Sequence, residues 1–295
     1  MNNETSKFPP VLLVVFAVLL WSTGGLFIKL TTLDAYQVTF FRSLLAGLTV
    51  LLVTRKNGLR INGFGVIASL IYAILLFLFV WATKHTTAAN AIFLQYTAPI
   101  YILIFAPFLI GERFHWRDLI TIIFCIGGMS LFFVGKLEIT DYEGNLAALG
   151  SGIFLGLYIM LLRHGRAAGM NSVITVIYGN FLLAVVTLPS GVAAFSTMTW
   201  LDAVAVSFLG IFQIGVSYIL FIKGVTGGTR PLDASIIGFI EPLLNPVWVF
   251  LFVGEQPSNW AILGGAIIIV TVVVHTLHQY RIKTKTYSVN RQKGL

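Results

Sequence analysis

The sequence predicts an all-α membrane protein: ten transmembrane helices arranged as two inverted five-helix repeats. Three observations carry this. The 295 residues are 57% hydrophobic and only 10% charged, whereas a soluble domain is roughly 25% charged. The apolar residues gather in ten blocks near the ~20-residue length that crosses a bilayer: 11–30, 36–53, 64–83, 89–110, 117–135, 145–163, 172–189, 202–222, 233–253 and 260–279. One stretch also occurs twice. Sliding Ala88–Glu112 by 143 positions onto Pro231–Glu255 puts Ala91 on Ala234, Pro99 on Pro242, Gly111 on Gly254 and Glu112 on Glu255.

Taken in order, the first block follows MNNETSKFPP, with one lysine before an apolar run of about twenty residues. That run is longer than a signal-peptide core and no Ala-x-Ala-like site follows it, so a retained helix is expected. The second block carries Arg42 deep inside it. Blocks four and nine carry Pro99, and Pro242 with Pro246. A proline in mid-helix donates no backbone hydrogen bond and strains the preceding turn. In lipid such a break needs protein or water to satisfy the freed carbonyl, so two interrupted helices beside a polar pathway are expected. Block six holds Gly152-x-x-x-Gly156, a close-approach motif read as packing between the repeats rather than a dimer face. Blocks seven and eight are the least clearly separated, because the connection from Pro189 to Trp200 is itself apolar. The units are therefore 11–135, 145–279 and a basic tail, 280–295, expected to be disordered for want of an apolar pattern.

The loop charges set the orientation. With the N-terminus in the cytoplasm, fifteen Lys and Arg fall on the cytoplasmic side, including Lys7, Arg55, Lys56, Arg117, Arg230 and Lys293. Three, Lys29, Lys84 and Lys136, fall outside, near acidic residues such as Asp34, Glu138 and Asp202. That bias places both termini in the cytoplasm of a multi-pass plasma- or inner-membrane protein. It also accounts for the net charge of +8 without a nucleic-acid partner. The proline blocks are five crossings apart, so the two copies run in opposite directions. Inverted repeats with paired broken helices are a feature of secondary transporters.

The residues Trp21-Ser-Thr-Gly-Gly-Leu-Phe-Ile-Lys29, Phe41-Arg42, Ala98-Pro99 with Gly111-Glu112, and Glu241-Pro242 with Gly254-Glu255 carry a resemblance to the EamA family of the drug/metabolite transporter (DMT) superfamily, over about residues 10–280. The resemblance implies the DMT/EamA fold, a central cavity lined by helices one to four and six to nine, and helices five and ten packed outside. It implies export of amino acids or other small metabolites.

Candidate substrate or coupling residues follow from polarity inside the blocks. Glu241 is the acidic residue well inside a span, where an unpaired charge is costly. It is read as a proton or substrate-amine site; the alternative is that it caps the broken backbone of its own helix. Arg42 matches the geometry of a carboxylate; the alternatives are snorkelling or an internal pair with Glu241. Gln95, Asn180 and Asn245, with Tyr96 and Tyr101, could bond a ligand or link helices. Trp21, Tyr158 and Tyr178 could stack on a substrate or serve as packing and anchors.

Enzyme chemistry has no foothold: there is no Gly-x-Ser-x-Gly, no His-Glu-x-x-His and no phosphate-binding loop. Neither metal nor cofactor is expected, and lone Cys125 permits no internal disulfide. The expected partners are the bilayer, a small-molecule substrate and, for coupling, protons; oligomeric state is not legible. The reading is export of a small metabolite such as an amino acid by alternating access. The alternatives are export of lipophilic cations with Glu241 as the cation or proton site and, more remotely, a non-transporting membrane protein.

Overall fold

The computed structural model describes residues 9–54, 59–133, 141–253 and 258–292. Lys7, Arg55, Lys56, Lys136, Glu138, Lys293 and the second Gly-Glu pair, Gly254 and Glu255, lie outside them, as do the side chains of Asn245 and Pro246. Every regular element among the described residues is helical. The order is α1 (Pro10–Trp21), α2 (Gly24–Leu30), α3 (Ala35–Thr54), α4 (Gly63–His85), α5 (Ala88–Gln95), α6 (Ala98–Leu109), α7 (Trp116–Ser130), α8 (Tyr142–Leu161), α9 (Ile174–Val186), α10 (Leu188–Ala194), α11 (Trp200–Phe208), α12 (Ser217–Thr226), α13 (Pro231–Ile237), α14 (Ile240–Val253) and α15 (Asn259–Gln292).

Seven stretches are long and apolar enough to cross a membrane: Pro10–Leu30, Ala35–Thr54, Gly63–His85, Ala88–Leu109, Tyr142–Leu161, Trp200–Thr226 and Asn259–Gln279. An eighth joins α9 and α10, bent by 67° where Pro189 sits in the first turn of α10. Of the ten expected blocks, two are not among these eight stretches. They are α7, with 15 residues, and the broken pair α13–α14. The chain is thus a multi-pass membrane protein. The expected disordered tail is not what forms: α15 continues through Gln292. Extending an existing helix adds a hydrogen bond per residue without a new nucleus.

The helix pairings exchange when the two halves are swapped. α1 packs on α12 and α4 on α8; α3 packs on α9 and α7 on α15. The glycines of α8 allow a further close approach, to α5 and α6. A Cβ on Gly152 would lie 2.7 Å from the Gln95 carbonyl oxygen and 3.0 Å from Thr97 Oγ1; one on Gly156 would lie 3.2 Å from the Ala98 carbonyl. Gln95 is the residue whose carbonyl Pro99 cannot serve, so Gly152 seats α8 against the freed backbone. Gly152→Val should destabilise the protein by about 1–3 kcal/mol through overpacking, read as a lower melting temperature of the solubilised protein.

The first Gly-Glu has a local cause. Gly111 follows the end of α6 with φ +70°, the left-handed conformation that ends helices and favours glycine. Glu112 then lies half-buried near Arg230, Asp233 and Asp118. Burial lifts its carboxyl above the usual carboxylate range, against the pull of Arg230. Arg230, which precedes α13, donates from Nη2 to Asp118 Oδ2 at 2.8 Å and lies 3.5 Å from Asp233 Oδ1. Burial lowers its pKa, but Asp233, Asp118 and Glu112 outweigh that and raise it.

At the opposite end of the helices, further bonds tie the span ends together. Lys29 Nζ donates to the Thr86 carbonyl at 2.8 Å, and Lys84 Nζ to the Thr31 carbonyl at 2.9 Å. Thr32 donates from its backbone N–H and its hydroxyl to Asp202, at 2.7 and 2.9 Å.

Candidate functional site

Three broken helices and one distorted helix surround the centre of the molecule. Between α1 and α2, the Ser22 and Thr23 hydroxyls donate to the Leu19 and Leu20 carbonyls, both at 2.7 Å. Such back-bonding competes with the helical ladder, and Gly24-Gly25 follows. Between α5 and α6, the chain turns at Tyr96-Thr97, with Pro99 in the first turn of α6, where the missing N–H costs nothing. Between α13 and α14, it turns at Gly238-Phe239. Pro242 does not leave the Gly238 carbonyl bare, as expected from the sequence: the Glu241 backbone N–H donates to it at 2.8 Å. The distorted helix is the π-helical stretch Leu209–Val216 linking α11 to α12, a form frequently found at functional sites.

These elements enclose a central cavity of about 30 Å³ lined by Trp21, Arg42, Gln95, Tyr96, Gln213, Tyr218 and Glu241, with Leu75, Leu76, Phe79, Leu155 and Ile214. A drug-sized ligand pocket is roughly 300–1,000 Å³, so the cavity as it stands is too small for a ligand of that size.

Two opposite charges share that cavity, one from each half of the chain. Glu241, 4% exposed, accepts a hydrogen bond at Oε2 from the Tyr96 hydroxyl at 2.7 Å. Tyr96 closes α5 and Glu241 opens α14, so the two proline breaks are joined directly. The capping alternative is therefore met by the backbone of Glu241, while its carboxyl group turns to the other half. Arg42, in α3, is 2% exposed. Among the described residues it takes part in no ion pair, with Glu241 or any other group, and its Nε and Nη1 have no hydrogen-bond partner. Unmade bonds of this kind at a buried group are expensive.

The other candidates divide. Gln95 Nε2 donates to Ser151 Oγ at 2.6 Å, a link between the halves. Trp21 Nε1 donates to Ser217 Oγ at 2.8 Å, and the Ser217 hydroxyl in turn donates to the Gln213 carbonyl. Tyr158 is buried just outside the cavity lining, its hydroxyl 2.8 Å from Thr175 Oγ1. Asn180 Nδ2 donates to the Tyr72 hydroxyl at 3.1 Å and to the Val176 carbonyl at 2.8 Å. Tyr101 is half-buried beside Gly156, and Tyr178 is exposed and donates to the Leu59 carbonyl at 3.0 Å. Neither lines the cavity. Tyr72 was not legible as a site residue. It is fully buried, with its ring 4.8 Å from that of Tyr218 and 5.1 Å from that of Tyr158; as a lone tyrosine in an apolar block it had no distinguishing neighbour in the sequence.

Comparison with known proteins gives a coherent picture. The model of the EamA-like transporter family matches residues 8–134 and 143–277. The pseudopaline exporter CntI of Pseudomonas aeruginosa is 25% identical over 281 residues, 89% of this chain and 94% of that protein. A probable terminal-alkyne amino-acid exporter of Streptantibioticus cattleyicolor is 21% identical over 196 residues, 66% of each chain. A crystal structure 19% identical in sequence superposes with a TM-score of 0.76, over 92% of this chain and 98% of that one, a likeness of fold.

Proposed function

Because the chain belongs to the EamA-like transporter family, and is therefore a transporter of small molecules, we propose that it exports an amino acid or similar zwitterion across the cytoplasmic membrane by alternating access. The observation that carries this is Arg42: a buried guanidinium on the central cavity with two unpartnered nitrogens. A substrate carboxylate could accept a charge-assisted hydrogen bond from one of these donors. Glu241, on the same cavity, would receive the substrate amine, and the rings of Trp21 and Tyr218 its side chain. The exporter names borne by two relatives favour outward flux, and one of them is an amino-acid exporter.

In this reading residues 11–135 and 145–279 are two inverted repeats that rock about the cavity. The exchange of helix pairings between halves supports it. So do the proline breaks, which offer hinges at Tyr96 and Gly238. The ten-crossing count, with both termini in the cytoplasm, requires α7 and the α13–α14 pair to cross as well. In this reading Glu241 carries the coupling proton: its protonation would leave Arg42 as the net charge of the cavity and so favour an anionic group there. The free donors of Arg42 count against a lipophilic cation as cargo.

Metabolite profiling of the medium from cells over-producing the protein, with the Glu241→Gln variant beside it, tests this. An amino acid or related zwitterion should accumulate outside the wild-type cells only. Resistance to cationic dyes with unchanged amino-acid efflux would overturn the zwitterion assignment.

A further inference from the structure

A groove of about 830 Å³ lies on the outside of the molecule between α7 and α15, away from the central cavity. The two helices press together beyond its deep end, where a Cβ on Gly128 would meet the Gly264 carbonyl at 2.9 Å. Toward the other end only side chains bridge them. Thr121 Oγ1 lies 3.3 Å from His275 Nδ1, and Arg117 Nη1 donates to His278 Nε2 at 2.6 Å. The walls between are apolar and face outward: Ile120, Phe124, Val270 and Val274 are all more than half exposed. The lining on α15 runs from Ala266 to His278, about 18 Å at 1.5 Å per residue. That is close to one leaflet of a ~30 Å hydrocarbon core.

The groove thus has a leaflet's depth, an apolar length and a cation at its mouth. The mouth lies at an interface: beside Arg117, Trp116 is 71% and Phe114 45% exposed, the aromatic pattern of a membrane boundary. The nearest acid in sequence, Asp118, is turned to Arg230 at 2.8 Å and does not neutralise Arg117. We propose that this groove binds one anionic phospholipid, its phosphate on Arg117 and His278 and an acyl chain along Ile120, Phe124, Val270 and Val274. Basic pockets between membrane helices recognise anionic headgroups in this way. A second copy of the chain fits less well. A two-fold axis along the membrane normal would set the same patch of both copies face to face, with their Arg117 side chains at one depth.

Native mass spectrometry of the purified full-length chain, titrated with phosphatidylglycerol or with phosphatidylcholine of the same acyl composition, tests the proposal. The wild type should retain one phosphatidylglycerol in preference to phosphatidylcholine. The Arg117→Gln/His278→Leu double variant should lose that preference, with phosphatidylglycerol occupancy falling roughly fivefold. Val270→Trp, which fills the groove and leaves the charges, should also lower it. Equal retention of the two lipids by the wild type would overturn the site whether or not either variant folds. So would occupancy unchanged in both variants, or a dimer cross-linked through Phe124→Cys and Val270→Cys.

Discussion

Arg42→Met should abolish transport and leave the protein as stable as the wild type or more so. The two halves of that expectation come from one observation. Nε and Nη1 of Arg42 are buried without partners, so the fold carries an unmade interaction of about 1–3 kcal/mol at a depth where arginine is already costly. Methionine is unbranched and apolar and removes that penalty. In the proposed function a substrate carboxylate would then lose a charged contact worth about 2–5 kcal/mol, a fall in uptake by inverted vesicles or proteoliposomes of roughly 100-fold. If Arg42 instead held helices together, the melting temperature would drop in step with transport. A variant that melts lower and still transports would remove Arg42 from the substrate site.

Glu241→Gln is the second large effect: transport should fall by roughly 100-fold with unchanged membrane levels. Glutamine keeps the size of the side chain and an oxygen to accept from Tyr96, which donates to Oε2 at 2.7 Å; only the charge and the proton are removed. Tyr96→Phe is the complementary change. It keeps the carboxyl group and deletes the bond, at a cost of about 1–3 kcal/mol for a buried acceptor left short of a partner, so it should lower the melting temperature more than the rate. If Glu241 served only to tie the two breaks together, Tyr96→Phe would be the more damaging of the pair. Where Glu241 carries a proton, the pH dependence of the wild-type rate should disappear in the glutamine variant.

The proline-marked breaks were legible because proline removes a specific backbone donor, and both fall within the four residues before the proline. The break after Trp21 has no proline. Its signal was Ser22-Thr23-Gly24-Gly25, two hydroxyls able to bond backward followed by two glycines, a weaker pattern that apolar periodicity masks. The π-helical stretch at Leu209–Val216 has no local marker and depends on how Gly210 and Gly215 pack against α3, where added Cβ atoms would meet Leu45 and Thr49 at 2.6 and 2.9 Å. Arg42 and Glu241 could be picked out because a charge in hydrocarbon is rare. That they would stand apart, with Glu241 turned to Tyr96, could not be read from spacing, since it depends on how two halves 100 residues and more apart meet. Tyr101 and Tyr178 carry the same chemistry as Tyr96 but lie on helix faces that turn away from the cavity, a distinction that composition does not make.

The presence of Arg42 and Glu241 on one central cavity has an electrical consequence. A carrier that crosses between two states with a lone buried charge works against, or is driven by, the membrane potential, at about 2.3 kcal/mol per charge per 100 mV. Here, with Glu241 ionised, the charges of Arg42 and Glu241 cancel. In the proposed cycle the empty carrier would then reset without being held on one side by the field, and a zwitterionic cargo would add nothing to the balance. Voltage would enter the cycle only with the proton that neutralises Glu241, which makes the current per molecule exported a direct count of the protons that accompany it.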